Sequence, residues 1–149
     1  MRAVVQRVTN AHVESEGTPS GKIGLGLMVL LGVECGDTDA DAKYMAGKIV
    51  KLRIFDDPDG KMNLSVRDVN GQVLCVSQFT LLGDARGQNR PGFIRAERPE
   101  EADRLYERVC AEMEALGVHT EKGVFRTHMT VSLCNDGPVT ILLDSRKLF

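Results

Sequence analysis

The chain has 149 residues, 42% of them hydrophobic, with 19 Lys and Arg against 21 Asp and Glu for a formal net charge of −2. A chain of that length buries roughly two thirds of the surface its unfolded form exposes, so folding requires neither a metal nor a disulfide staple. The apolar runs and balanced charge exclude disorder over the whole chain, and the net charge excludes a broadly basic nucleic-acid coat while leaving room for a local basic patch.

The opening MRAVVQRVTNAHVE has no continuous apolar core and does not read as a signal peptide. Arg2–Val8 and Ala11–Val13 read as strands, and the Gly/Pro/Ser cluster from Gly17 to Gly21 closes the second of them. Ile23–Val33 reads as one buried strand, with Gly24 and Gly26 marking a close backbone approach or a bulge. The longest apolar stretch, Leu25–Val33, is too short to cross a bilayer, so a soluble protein is expected.

From Asp39 to Leu52 the period changes to three and four, with Ala42, Met45, Ile49 and Leu52 on one stripe. This is an amphipathic helix capped by Asp37, Thr38 or Asp39, and Lys43, Lys48 and Lys51 read as its solvated face. Asp56–Gly60 forces a turn, Met62–Val66 reads as a strand, and Asn70-Gly71 leads into a further strand over Gln72–Leu81. Alternation along that last strand puts Ser77 and Phe79 on one face and Gln78 and Thr80 on the other. Leu82–Arg98 is a long loop carrying Arg86, Arg90 and Arg95.

A second helix begins at Pro99, carries Leu105, Val109 and Met113 on one stripe, and stops at Gly117. Met129–Cys134 and Val139–Leu143 read as strands around the turn Asn135-Asp136-Gly137-Pro138. The implied fold is α+β: one domain over residues 1–149, with curved, mostly antiparallel, barrel-like and layered sheets packed against two main helices. The four cysteines, at 35, 75, 110 and 134, form no close pair and read as reduced core or near-core residues, which points to a reducing cytosol.

Several chemistries can be set aside. No GxSxG elbow accompanies the histidines at 12, 119 and 128, and no HExxH or paired HxH pattern is present. Gly17-Thr18-Pro19-Ser20-Gly21-Lys22 lacks the GK[ST] ending of a phosphate loop and the helix after it. Two segments remain. Ser77-Gln78-Phe79-Thr80 closes a strand with polar side chains and exposed N–H groups that could hold a carbonyl oxygen as it gains charge, although an ordinary polar strand end has the same composition. Gly137-Pro138 puts proline where a strand resumes; a cis bond there points two successive carbonyls the same way and makes a fixed edge for measuring a ligand, although a plain turn also accounts for it.

These segments, Ser77-Gln78-Phe79-Thr80-Leu81 and Asn135-Asp136-Gly137-Pro138-Val139-Thr140, resemble the D-aminoacyl-tRNA deacylase family. Met1–Val8, Ile23–Val33, Arg53-Ile54-Phe55 and Gly60–Leu64 match in the same register, so the likeness spans essentially the whole chain. The resemblance implies a cytoplasmic homodimer, without cofactor or metal and without a membrane anchor, that cleaves the ester between a D-amino acid and the 3′-terminal adenosine of tRNA. It also implies activity on glycine mischarged to tRNA(Ala).

Carried over by position, Ser77, Gln78, Phe79 and Thr80 are the catalytic segment, Arg7, Met129, Asn135, Gly137 and Pro138 bind substrate, and Arg86, Arg90 and Arg95 meet acceptor-stem phosphates. Gly137-Pro138 is the family's cis pair, reaching from one subunit into its partner's pocket to exclude L-amino acids. No base adjoins Thr80 in the sequence, which favours a positioning role over a nucleophilic one. Gly87-Gln88-Asn89-Arg90-Pro91-Gly92-Phe93 and Phe125-Arg126-Thr127 depart from the family's usual text. The competing readings are a non-catalytic binder of the tRNA 3′ end and an enzyme of different stereochemical preference with a trans Gly137-Pro138 bond.

Overall fold

A computed structural model describes residues 1–149. Its spine is β1 (Arg2–Ser15), a single strand where the sequence pattern reads as two. The inward phase runs through Ala3, Val5 and Arg7, slips at Val8, and resumes at Ala11 and Val13. Bulges opposite β8 (Met129–Asp144) cause that slip, because each extra residue reverses the face on which the following side chains lie.

One edge of β1 pairs with β8, antiparallel, from Arg2↔Asp144 to Ser15↔Met129. The other edge is shared. Residues Arg2–Val8 pair with β3 (Gly26–Gly32), and Ala11–Ser15 pair with β2 (Thr18–Ile23). The expected strand over 23–33 is therefore divided by a bend at Gly24-Leu25, and Pro19 and Gly21 lie inside β2 rather than beyond it. Proline is tolerated there because it falls next to the Val13/Glu14 register shift.

β3 runs parallel to β6 (Gln72–Ser77), and β6 runs parallel to the short β7 (Thr120–Lys122). The three residues of β7 are too few to show a period, and the sequence pattern gives no sign of it. The sheet curls until β2 meets β7, where a Cβ on Gly21 would stand 2.8 Å from the Lys122 carbonyl oxygen. This is the barrel-like curvature the sequence implies, mostly antiparallel with two parallel ladders.

Two apolar cores result. Val8, Ala11, Val13, Ile23, Met28, Leu74 and Val76 fill the curl. The larger core lies between the sheet and the helices α1 (Asp39–Lys51) and α2 (Pro99–Ala115). Each fully buried Leu or Ile in it contributes about 2 kcal/mol.

Thr38 is the cap of α1, its N–H donating to Asp41 Oδ2 at 2.9 Å. Asp37 serves elsewhere, accepting from the Glu34 N–H at 2.7 Å. In α2, Pro99 occupies the first turn, Gly117 ends the run at φ +87°, and the Tyr106 hydroxyl donates to the Cys75 carbonyl at 2.8 Å, fixing the helix to β6.

A small ribbon of β4 (Phe55–Asp56) and β5 (Met62–Leu64) completes the fold. β5 stops earlier than its apolar pattern because Ser65 turns to donate its N–H and hydroxyl to Asp68 Oδ2, at 2.8 and 2.7 Å. Cys75 and Cys110 are buried as expected, whereas Cys35 and Cys134 are exposed; all four are free thiols. No helix is long and apolar enough to cross a membrane.

Candidate active site

The expected strand over 72–81 ends at Ser77. Its last ladder bond runs from the Gln78 N–H to the Leu31 carbonyl at 2.8 Å, after which Phe79–Leu82 coil into a 3-10 turn. Gly32 permits this turn to lie against β3: a Cβ there would come within 2.5 Å of Leu82 Cδ2 and 2.9 Å of the Gln78 carbonyl oxygen. The alternating faces expected for residues 77–80 are lost, and Phe79 and Thr80 both stand exposed.

As the first residues of the turn, Phe79 and Thr80 have N–H groups with no acceptor inside it. The Gln78 side-chain amide donates to the Thr80 hydroxyl. Phe79 meets Phe93 edge to face at 5.1 Å, which fixes an aromatic wall over the turn.

Beside this turn lies a cavity of about 630 Å3. Ser77, Gln78, Phe79, Met129 and Val131 are among its lining residues, whereas Thr80, one position further along the turn, is not. Met129 reaches it because Gly123 leaves room; a Cβ on that glycine would sit 2.5 Å from the Met129 sulfur. Glu97, Phe125, Arg126 and His128 also line the cavity, none of them singled out as site residues by sequence reasoning. Both Glu97 carboxylate oxygens are engaged, accepting from the N–H groups of Arg98 at 2.7 Å and Gly36 at 3.3 Å. Arg126 carried one available signal, an arginine in a turn, and it takes a left-handed φ of 62° at the rim.

Arg7, Asn135, Gly137 and Pro138 do not line this cavity. They form a second cluster where β8 leaves its register, which jumps from Val8↔Asn135 to Gln6↔Thr140, so residues 136–139 arch over Arg7 alone. The expected strand, turn and strand are thus one continuous strand carrying an arch. The Gly137-Pro138 bond is cis, and both residues are exposed.

The arch is held from beneath. Arg7, only 7% exposed, donates through Nε to the Asp136 carbonyl at 3.0 Å and through Nη1 to the Ile54 carbonyl at 2.8 Å. Asp56 and Asp136 carboxylates, each 3.4 Å away, balance its charge. Asn135 accepts from the Val139 N–H at 3.0 Å and donates to the Thr140 hydroxyl at 3.2 Å. Gly137 has φ +130°, and a Cβ there would stand 2.7 Å from Val139 Cγ2 and 3.1 Å from Arg7 Nη2, so no side chain fits.

The three loop arginines differ. Arg86 is committed to Asp84, whose carboxyl the guanidinium holds well below the usual carboxylate range through a direct hydrogen bond. Arg95 is committed to the buried Glu34 at 2.5 Å. Arg90 is exposed and stands in no ion pair. No group of three or more His, Cys, Asp or Glu side chains is placed to hold a metal ion.

Comparison with known proteins gives a consistent picture. Residues 4–144 match the family model described as D-Tyr-tRNA(Tyr) deacylase. The D-aminoacyl-tRNA deacylase of Anaeromyxobacter dehalogenans is 59% identical over 149 residues, covering 100% of both chains. That of Desulfitobacterium hafniense is 55% identical with the same coverage. Among solved structures, the c-Myc DNA Unwinding Element Binding Protein superposes with a TM-score of 0.90 at 40% identity, over 97% of this chain and 98% of the other. A probable eukaryotic D-amino acid tRNA deacylase shares the fold at a TM-score of 0.82 and 18% identity, over 95% of this chain and 97% of that one. With a family model spanning nearly the whole fold and relatives of equal length above half identity, this chain belongs to the D-Tyr-tRNA(Tyr) deacylase family of hydrolases.

Proposed function

We propose that the protein hydrolyses D-aminoacyl-tRNA as a homodimer, each active site combining the cavity of one subunit with the Gly137-Pro138 arch of the other. The observation that carries this reading is the separation of the two clusters: the chain holds a cavity with a carbonyl-binding turn and, apart from it, a rigid exposed arch. A second copy lets the arch close the cavity. The free edge of β8 supports such pairing, since this 16-residue strand pairs with β1 alone and exposes Leu133 and Leu142.

The chemistry follows from what the cavity contains. The ester carbonyl rests against the turn with its oxygen toward the N–H groups of Phe79 and Thr80, which stabilise the charge that develops during attack. Water adds to the carbonyl carbon, the bond to the ribose 3′ oxygen breaks, and that oxygen takes a proton as the free amino acid departs. The Thr80 hydroxyl accepts from the Gln78 amide, a donor that cannot take its proton, so the pair orients the substrate while the adjacent 2′-OH of the terminal adenosine assists the water. Ser77 and Met129 line the cavity around the ester.

Chirality is decided by exclusion. The arch carbonyls stand against the position an L side chain requires, and a rigid clash rejects a group more sharply than an added contact rewards one. Glycine, having no side chain, passes, which extends the substrates to glycyl-tRNA(Ala). The cytoplasm, where these esters form, is the proposed site of action.

The deciding experiment compares matched D- and L-aminoacyl-tRNAs, each with and without the terminal 2′-OH. D-selective hydrolysis that slows severely on 2′-deoxy substrate is expected. Binding without turnover would identify a carrier of the tRNA end, L-selective turnover would reverse the assigned preference, and a trapped Thr80 acyl ester would overturn the mechanism.

A further inference from the structure

Eight of the 19 Lys and Arg side chains stand in ion pairs with carboxylates. Five of the unpaired ones converge on one place. Lys43, Lys48, Lys51 and Arg53 line a groove of about 470 Å3 along α1, together with Tyr44, Gly47 and Leu52. Lys147 joins them: its ammonium lies 6.0 Å from the Tyr44 ring centroid, and that of Lys48 lies 5.9 Å from the same ring. No Asp or Glu lines the groove. In a chain with net charge −2, this leaves a cationic track on an otherwise acidic molecule.

Its position is informative. Arg53 at its end is followed by Ile54, whose carbonyl accepts from Arg7, the residue that supports the Gly137-Pro138 arch. The groove is thus joined through the single backbone step Arg53-Ile54 to the residue that supports the arch, and shares no lining residue with the cavity.

We propose that this groove binds the phosphodiester backbone of the tRNA whose aminoacyl end occupies the partner subunit's cavity, an inference that rests on the two-subunit site described above. Spaced ammonium groups beside an aromatic face suit a phosphate chain, giving grip without reading sequence. The acceptor arm would thus span both subunits, held at its tip by one and along its backbone by the other.

The test uses K48E/K51E and the neutral K48Q/K51Q in the full-length protein, with two substrates: D-aminoacyl-tRNA and the D-aminoacyl ester of adenosine, which lacks the backbone phosphates. Both positions are exposed on α1, and the neutral pair controls for the cost of placing anions in its last turn. For tRNA, KM is expected to rise at least tenfold for the reversed pair and less for the neutral one, and the log–log salt slope to fall by about 1.5 to 2. Turnover of the adenosine ester is expected to stay as in the native protein. An unchanged KM and salt slope, or a parallel loss on both substrates, overturns the proposal. A native protein inactive on both substrates refutes the hydrolase reading instead. Mixed dimers locate the track: with one cavity blocked by Ser77→Trp, charge reversal on the blocked subunit must weaken tRNA binding, and loss only when reversal shares a chain with the open cavity overturns the cross-subunit placement.

Discussion

The two clusters are built on opposite plans. Around the cavity, Gln78, Phe79 and Thr80 sit on a short turn at a strand end, largely exposed, with the Thr80 hydroxyl tied only to its neighbour Gln78. Under the arch, Arg7 is buried and reaches two segments distant in sequence, Ile54–Asp56 and Asp136, while Asn135 clamps the arch at both feet. The contrast shows where rigidity is needed. In the function proposed above, the turn that holds a reacting carbonyl has to be reachable, whereas the backbone edge that rejects the wrong enantiomer has to resist being pushed aside.

Perturbations should separate the plans. Arg7→Ala removes a buried cation and leaves the Ile54 and Asp136 carbonyls without their donor; a loss of about 3 kcal/mol is expected in urea unfolding. Arg7→Lys keeps the charge without the planar fork and should recover only part of it. Next, Gly137→Ala forces a side chain onto φ +130° and against Val139. It should cost about 1 to 3 kcal/mol in stability. Discrimination, measured as the ratio of kcat/KM for D- over L-aminoacyl-tRNA, should fall at least tenfold.

The cavity side predicts gentler effects. Thr80→Val should lower kcat by roughly tenfold or less, as expected when a positioning hydroxyl rather than a nucleophile is lost. Phe93→Ala removes the edge-to-face partner of Phe79; single-turnover titrations should show substrate binding weakened by about 1 kcal/mol. Smallest of all, Arg90→Ala should raise KM for tRNA only a few-fold and in a salt-dependent way. Arg86→Ala should do less still, because its guanidinium already serves Asp84.

Both helices were legible because their stripes repeat at three and four residues and their ends carry Thr38, Pro99 and Gly117. The breaks in the strands were not. The phase slip at Val8 is imposed by a partner strand more than 120 residues away, and the end of β6 at Ser77 by the space that Gly32 leaves for the following turn. Residues 77–80 and the Gly137-Pro138 pair stood out by composition, and the matching segments named the chemistry. Arg7's partners were invisible in the sequence: two are backbone carbonyls, which any residue type supplies. Arg86 and Arg95 read as available cations because the carboxylates that occupy them, Asp84 and Glu34, reveal themselves only once the chain has folded.

The pairing of β8 with β1 has a consequence for synthesis. Met129 and the arch both ride on β8, and β1 depends on it from Arg2 to Ser15. A nascent polypeptide that stops short of residue 129 leaves the first strand bare along one flank and carries neither Met129 nor the Gly137-Pro138 arch. The wall of the cavity and the arch therefore fall into place together, once the last stretch of the chain is available to pair with the first.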